Sequence, residues 1–482
     1  MKRKFIWNLL LVVVLNLLIK PFYILGIDAE VINRVGSSVY GNYFALINFS
    51  FLLNIVLDLG ITNYNVKNIA QHHQLLEKHF SGIITLRLCL VFVYLAFTFL
   101  IAFFIGYESF QFRLLLILAL NQALVAFILY MRSNFAGLHL FVQDSIVSVL
   151  DRVLLIIICS VLLWGGISSK PFQIEWFVYA QSASYLMTLL LCVVLMFKQT
   201  NKLTFKWNPT FSIVILKRSF PYAMLILLMT IYYRIDSIML ERMLNDNSIQ
   251  AGIYAQAYRF FEASNMIAYL FAALLLPIFS RMLKNNEPVS ELVDCAFKIL
   301  MGFGIILTVF CCFYSYEIIH FRYENHILDS SRIFTILMIC FLFVSSTYIY
   351  GTLLTANGNL RYLNIVAGFG VLLNVLLNLI LIPKYHAFGS AVASLITQAL
   401  TGVAQLVLCF YVFKFSSYVM LFRVFVFAVG ILFFGYVSTK INSSEYVSLI
   451  IYIMLSIFWL FATKLIKVSD FYLLIDNKYK LR

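Results

Sequence analysis

The chain has 482 residues, 63% of them hydrophobic and only 12% charged, with a net charge of +14. A soluble globular protein carries about 25% charged residues, so a water-soluble fold is excluded and the whole chain reads as an integral membrane protein. The apolar runs are long and continuous, which selects helices over a barrel. Lys and Arg collect in the short connections between them, the membrane pattern, so nucleic acid is not an expected partner.

Fourteen spans are predicted, at 5–26, 40–61, 81–106, 112–136, 145–167, 173–197, 212–242, 251–280, 291–315, 328–355, 361–382, 388–413, 417–438 and 446–466. An even number places both termini on one side. Loops and adjoining span ends on that side hold 21 of the 35 basic residues and those on the other side hold 8, so both termini are predicted to be cytoplasmic. The remaining six, Lys20, Arg87, Arg152, Arg234, Arg259 and Lys298, fall inside spans and are not counted to either side.

The first span opens with Lys2-Arg3-Lys4 and an apolar run, like a signal peptide. Without a small-residue cleavage site it is expected to stay as a helix. Lys20-Pro21 lies near its outer end, where the proline predicts a bend or break that exposes backbone groups. Lys20 either snorkels outward or faces a passage. Asp28-Ala29-Glu30 is placed just outside this span. It resembles the acidic pair of polyprenyl-phosphate-dependent glycosyltransferases, but no external loop here is long enough for the domain such enzymes add. A phosphate-cradling Gly-rich loop, an H-E-x-x-H helix and a nucleophile elbow are also missing, so an enzyme is not expected.

Gly41-Asn42-Tyr43 opens the second span, and Asp58 lies toward its inner end, either as a counter-ion in a cavity or as a cap for the loop helix that follows. Arg87 is close enough to the cytoplasmic side to snorkel. His72, His73 and His79 have no Cys or acidic set to complete a metal site and are read as a solvated loop helix. The eight cysteines lie in or at the ends of apolar runs without zinc spacing, so free thiols are expected, and no cofactor. The basic connection Lys198 to Lys217, with Trp207 as an interface anchor, divides the chain. The predicted organisation is a six-helix lobe over 1–200, a cytoplasmic linker over 201–219 and a second six-helix lobe over 220–415. Two further helices and a cytoplasmic tail occupy 416–482. Gly252-Ile253-Tyr254 opens the second span of the later lobe as Gly41-Asn42-Tyr43 does in the first, which fits a duplicated half.

The later lobe begins with the chemistry. Arg234 and Asp236 lie inside Pro221 to Leu244, with Arg234 about ten residues, roughly 15 Å of rise, from the far end. A charge at that depth costs between about 2.5 and more than 10 kcal/mol and persists only where it faces a bundle interior or a wet cavity. Two residues apart, Arg234 and Asp236 point in different directions, so each needs a partner on another helix. Arg259 and Glu262, three apart, share one face. The four charges read as a cavity lining, or else as an ion-pair network stapling two helices.

Several stretches then have a familiar order and spacing. They are Tyr40-Gly41-Asn42-Tyr43-Phe44-Ala45 through Leu57-Asp58-Leu59-Gly60-Ile61, Tyr232-Tyr233-Arg234-Ile235-Asp236-Ser237-Ile238-Met239-Leu240, and Tyr254-Ala255-Gln256-Ala257-Tyr258-Arg259. Leu276-Pro277 follows, then Asn374 and Asn378 before Leu381-Ile382-Pro383-Lys384-Tyr385, then Gly389-Ser390-Ala391. Over about residues 20 to 415 the chain resembles the polysaccharide (O-antigen type) flippases of the multidrug/oligosaccharidyl-lipid/polysaccharide exporter superfamily.

That resemblance implies an all-α membrane fold of two six-helix lobes around a central cavity, plus a C-terminal helix pair. It implies export of undecaprenyl-pyrophosphate-linked oligosaccharide, a lipopolysaccharide or other polysaccharide repeat unit, across the bacterial inner membrane by alternating access. Family members of this type tend to have a cationic cavity, which Lys20, Arg234 and Arg259 would supply by binding the pyrophosphate. Asp58, Asp236 and Glu262 would hold those arginines or couple to Na⁺ or H⁺. Membrane lipids and a polysaccharide polymerase are the other expected partners. A cation-coupled multidrug antiporter and a lipid II flippase share the fold and stand as alternatives. Such antiporters often rely on an acid buried in the first helix. Here that helix carries Lys20, with Asp28 and Glu30 placed at or beyond its outer end, which favours an anionic cargo.

Overall fold

Two of the longest helices each conceal a sharp turn. Leu15–Asp58 is 44 residues long and Leu360–Phe413 is 54, whereas about 20 residues cross a hydrocarbon core. The first breaks at Gly36 (φ 82°, ψ 161°) and the second at His386 (φ 52°, ψ −134°). The Gly36 conformation is one that only glycine adopts without strain, so the first two spans are joined by a single residue.

A computed structural model describes residues 15–62, 65, 69, 75–138, 140–166, 170–197, 209–246, 248–414, 418–441, 445–463 and 465. Among them, eleven helices are long and apolar enough to cross a membrane. The two breaks turn these eleven into thirteen, and the shorter apolar helix Val447–Ala462 makes fourteen. They are α1 (15–35), α2 (37–58), α3 (Leu75–Ile105), α4 (Ser109–Gly137), α5 (Phe141–Trp164), α6 (Ile174–Phe197) and α7 (Pro209–Met243). The later ones are α8 (Ile249–Lys284), α9 (Ser290–Phe313), α10 (Ile327–Ala356), α11 (360–385), α12 (387–413), α13 (Tyr418–Lys440) and α14 (Glu445–Ala462). The short helix Ser315–Arg322 joins α9 to α10. The fourteen-span, all-α fold expected from the sequence is the observed one. Its Lys2-Arg3-Lys4 start, the loop histidines His72 and His73, the side chain of His79, Trp207 and the linker stretch 201–208 lie outside the described residues.

The first helix differs from expectation in two ways. Pro21 does not break it. A π-helical stretch, Tyr23–Asp28, follows the proline, a wider turn that takes up the missing donor and the clash with the preceding turn. The helix then runs on to 35 instead of ending at 26, because the chain reverses only at Gly36. Asp28 is therefore inside α1 and fully buried, not beyond its outer end.

By contacts the chain forms two compact units, Met1–Ala255 and Gln256–Arg482. In the first, α2 packs on α7, and α6 packs on both α4 and α5. Helix α2 also meets the first turns of α8 at short range. A Cβ on Gly41 would lie 2.0 Å from the Ser248 carbonyl oxygen, and one on Gly252 would lie 1.9 Å from that of Ser37. The Gly-x-Tyr repeat is thus a packing device: its two glycines let the backbones of α2 and α8 touch. In the second unit, α10 packs on α9 and on the α11–α12 hairpin, and α13 packs on α9. Tyr452 on α14 donates to the Ile306 carbonyl (2.7 Å) and Tyr314 to Ser438 Oγ (3.0 Å), which anchors the C-terminal pair to α9 and its end.

Candidate functional site

Arg234 lies 9 residues before the end of the span Ala223–Met243, about 14 Å of helical rise from it. Its Nη1 donates to Asn48 Oδ1 on α2 (2.8 Å), and its guanidinium sits over the Phe51 ring, 4.8 Å from the centroid. Asn48 and Phe51 are three apart and so share one face of α2. A deep guanidinium is tolerated here because an amide oxygen and a ring face replace part of its water shell.

Asp236, two residues on, turns the other way and accepts a hydrogen bond from Tyr254 Oη on α8 (2.9 Å). The same arrangement occurs at the start of the chain, where Tyr40 Oη on α2 donates to Asp28 Oδ2 on α1 (2.6 Å). Both aspartates are buried, at 0% and 2% exposure. Helices α1 and α7 therefore each hold an aspartate bound by a tyrosine of the next helix. Sequence reasoning missed Asp28 because it ended α1 too early. The signal was present in the tyrosines beside the two matching glycines, Tyr40 before Gly41 and Tyr254 after Gly252.

Asp58 and Arg87 correct two expectations. Arg87 does not snorkel; at 1% exposure it is among the most buried large side chains. It pairs with Asp58 through Nη2, which also donates to Thr62 Oγ1 (2.8 Å), while Nη1 donates to the Ala126 carbonyl (2.9 Å) and the Tyr130 ring lies 5.0 Å away. Asp58 also accepts from the Thr62 amide (3.1 Å) and hydroxyl. It is cap and counter-ion at once, because α2 ends at Leu59 and Gly60, both with positive φ, and the chain turns back over the carboxylate. Its cationic partner is Arg87 from α3, not Arg234 or Arg259.

Lys20, partly exposed on α1, lies in the field of Arg152, Asp151 and Arg132. Arg152 stacks over the Tyr23 ring (4.8 Å) and contacts Asp151 (3.5 Å), and Arg132 pairs with Asp144 (2.7 Å). In the second unit Arg259 Nη1 donates to Glu262 Oε2 at 2.6 Å, as their shared face predicts. Of the six residues singled out from sequence, Arg234 meets Asn48 and Phe51, Asp236 meets Tyr254, Asp58 pairs with Arg87, Lys20 lies near Arg152, and Arg259 pairs with Glu262. All eight cysteines are free.

An all-α, multi-pass fold with charged side chains held deep in its spans is that of an integral membrane protein. A family model described as polysaccharide biosynthesis protein matches residues 4–283, more than half of the chain. The chain belongs to that family of polysaccharide biosynthesis proteins. Its fold is similar to that of the lipid II flippase MurJ in an inward closed conformation, with a TM-score of 0.70, 18% identity and 97% of each chain covered. It is also similar to a multidrug resistance MATE family transporter of the MOP superfamily in an inward-facing conformation (TM-score 0.64, 13% identity, 82% of this chain and 94% of that one). A MOP superfamily transporter from Pyrococcus furiosus, described as having a binding pocket of reversed polarity, matches at a TM-score of 0.56 and 13% identity, over 84% of this chain and 95% of that one. At these identities the likenesses establish the fold. A comparison with curated protein sequences finds no significant match. The solved structures that share this fold are a flippase and transporters.

Proposed function

We propose that this protein moves undecaprenyl-pyrophosphate-linked oligosaccharide, a repeat unit of lipopolysaccharide O-antigen or a related polysaccharide, from the inner to the outer leaflet of a bacterial inner membrane by alternating access. The observation that carries this reading is the Arg234 guanidinium, deep in α7 and gripped by an amide oxygen and a ring face. A pyrophosphate is strongly hydrated and crosses a bilayer only where fixed cations replace its water. The planar fork of arginine can bind two phosphate oxygens together. Arg234, Arg259 and Lys20 are the proposed contacts to the pyrophosphate. Asp236 and Glu262 are the proposed gating or ion-coupling carboxylates for Na⁺ or H⁺, and Asp58 acts with them through Arg87. The proposed lobes are 1–200 and 220–415, with 201–219 as a cytoplasmic linker, both termini cytoplasmic, and a polysaccharide polymerase as the downstream partner.

In cells, Arg234→Ala is expected to abolish surface polysaccharide while the protein remains folded and membrane-inserted. Arg234→Lys, a point charge without the fork, is expected to restore only part of it. Normal surface glycan in a well-expressed Arg234→Ala strain refutes this role.

A second reading is a cation-coupled multidrug exporter of the same fold. The observation favouring it is Asp28, a carboxyl buried inside α1 where the sequence had placed none. It predicts that Asp28→Asn abolishes cation-driven efflux of dyes from cells and leaves surface polysaccharide intact. Loss of polysaccharide in that variant, with no change in dye efflux, counts against it.

A further inference from the structure

We infer that Arg152 on α5, together with Lys20 on α1, forms a second anion-binding station, inside the unit Met1–Ala255, that receives the phosphate groups of the cargo midway through the membrane. This deepens the proposed pyrophosphate reading and rests on it. Arg152 lies 10 residues from the start of the span Val142–Trp164 and 12 from its end, about 15 and 18 Å of helical rise. That is too deep for its charge to reach either surface. A helix keeps such a group only where it meets other polar groups or water, which marks it as part of a path. The guanidinium lies 4.8 Å from the centre of the Tyr23 ring on α1 and 5.9 Å from that of Tyr185 on α6. The two rings hold it by their faces, and 26% of the side chain stays exposed.

The packing of α1 on α5 brings Lys20 to the same place. Asn16 Nδ2 donates to Ser148 Oγ at 3.2 Å. Lys20 and Arg152 each follow that bonded pair by four residues, one helical turn, and Tyr23 under the guanidinium comes three residues after Lys20. The charges acting on the Lys20 ammonium are those of Arg152, Asp151 and Arg132, in that order. Asp151 contacts Arg152 at 3.5 Å, and Arg132 is taken up by Asp144 at 2.7 Å. Among the described residues Lys20, partly exposed, makes no ion pair of its own. Two like charges side by side in a bilayer repel, and a purely structural contact would set a carboxylate where Lys20 stands. A diphosphate accepts from both at once, from the ammonium as a point charge and from the guanidinium through its fork. A cationic drug is repelled by both.

Binding of undecaprenyl pyrophosphate to the purified full-length protein is measured for wild type, Lys20→Gln, Arg152→Gln, Arg152→Lys and Arg234→Ala, with thermal unfolding followed in parallel. Lys20→Gln and Arg152→Gln are each expected to weaken binding about tenfold, the factor of a lost charge-assisted hydrogen bond. Arg152→Lys restores the charge without the fork or the stacking and is expected to regain part of that loss. Lysine no better than glutamine would leave Arg152 a structural residue and overturn the station. Inorganic pyrophosphate, titrated alone, is expected to bind wild type far more weakly than the lipid does. Equally tight binding would make this a site for a free anion and overturn its assignment to a lipid headgroup. If either glutamine variant binds the lipid as wild type does while Arg234→Ala has lost binding, the station is overturned and the pyrophosphate reading stands. If wild type does not bind the lipid, that reading fails and the station with it. Should Arg152→Gln not fold, Lys20→Gln, a change at a partly exposed side chain, decides: weakened binding supports the station and unchanged binding overturns it.

Discussion

Replacing Asp58 by Ala leaves Arg87 with its charge and without its carboxylate, in a setting where it is 1% exposed. Breaking a buried pair from one side costs about 3–5 kcal/mol. The Asp58 side chain is itself 23% exposed, and Arg87 keeps its bonds to Thr62 and Ala126. The lower end applies, about 3 kcal/mol, or roughly two decades in the unfolding equilibrium. Arg87→Met should cost less, about 1–2 kcal/mol, because Asp58 remains partly wet and bonded to Thr62. The two changes together should be less damaging than Asp58→Ala alone, since Met fills the site without a charge to strand. Unfolding of the purified protein in detergent, measured for both single variants and the double variant, checks this. Additive losses would refute the reasoning, because they would mean that the two side chains do not depend on each other. The double variant also separates two roles for Asp58. Export lost while stability is regained is the expected result for a gating residue, whereas retained export would leave the pair a staple between α2 and α3.

Two other perturbations follow from the geometry. Gly252→Ala puts a methyl 1.9 Å from the Ser37 carbonyl oxygen, so α2 and α8 must separate by about 1.5 Å to reach an ordinary contact of 3.4 Å. Such overpacking costs about 1–3 kcal/mol and should appear as a lowered unfolding temperature, while Gly368→Ala, with nothing within 4 Å of the added carbon, should not lower it. Tyr254→Phe removes a donor from Asp236, a carboxylate 2% exposed. It should cost about 1–3 kcal/mol in the same assay and reduce surface polysaccharide, and an unchanged unfolding temperature would contradict the assignment.

Much of this fold is legible in the sequence, because a bilayer leaves each apolar run of about 20 residues no option but a helix. The fourteen spans, the C-terminal pair and the i,i+3 contact of Arg259 with Glu262 follow from that rule and from helical periodicity. Partnerships between helices do not. Nothing local in Leu57-Asp58-Leu59-Gly60 or in the run around Arg87 says that the two charges meet, since that depends on how α2 and α3 pack. Asn48 looked like an ordinary polar residue in a span until the packing of α2 on α7 set it beside Arg234. Asp28 was misplaced for a different reason. Hydropathy falls off after 26 in the Gly-Ile-Asp-Ala-Glu run, but backbone hydrogen bonding continues to Gly36, and it is the backbone that decides where a helix ends.

The most direct measurement follows a fluorescent undecaprenyl-pyrophosphate-linked oligosaccharide across the membrane of proteoliposomes containing the purified protein. Wild type should bring the lipid to the opposite leaflet well above the protein-free rate, and Arg234→Ala, equally incorporated, should return it to that background. Equal rates for wild type and Arg234→Ala would contradict the claim that this deep guanidinium carries the diphosphate through the bilayer.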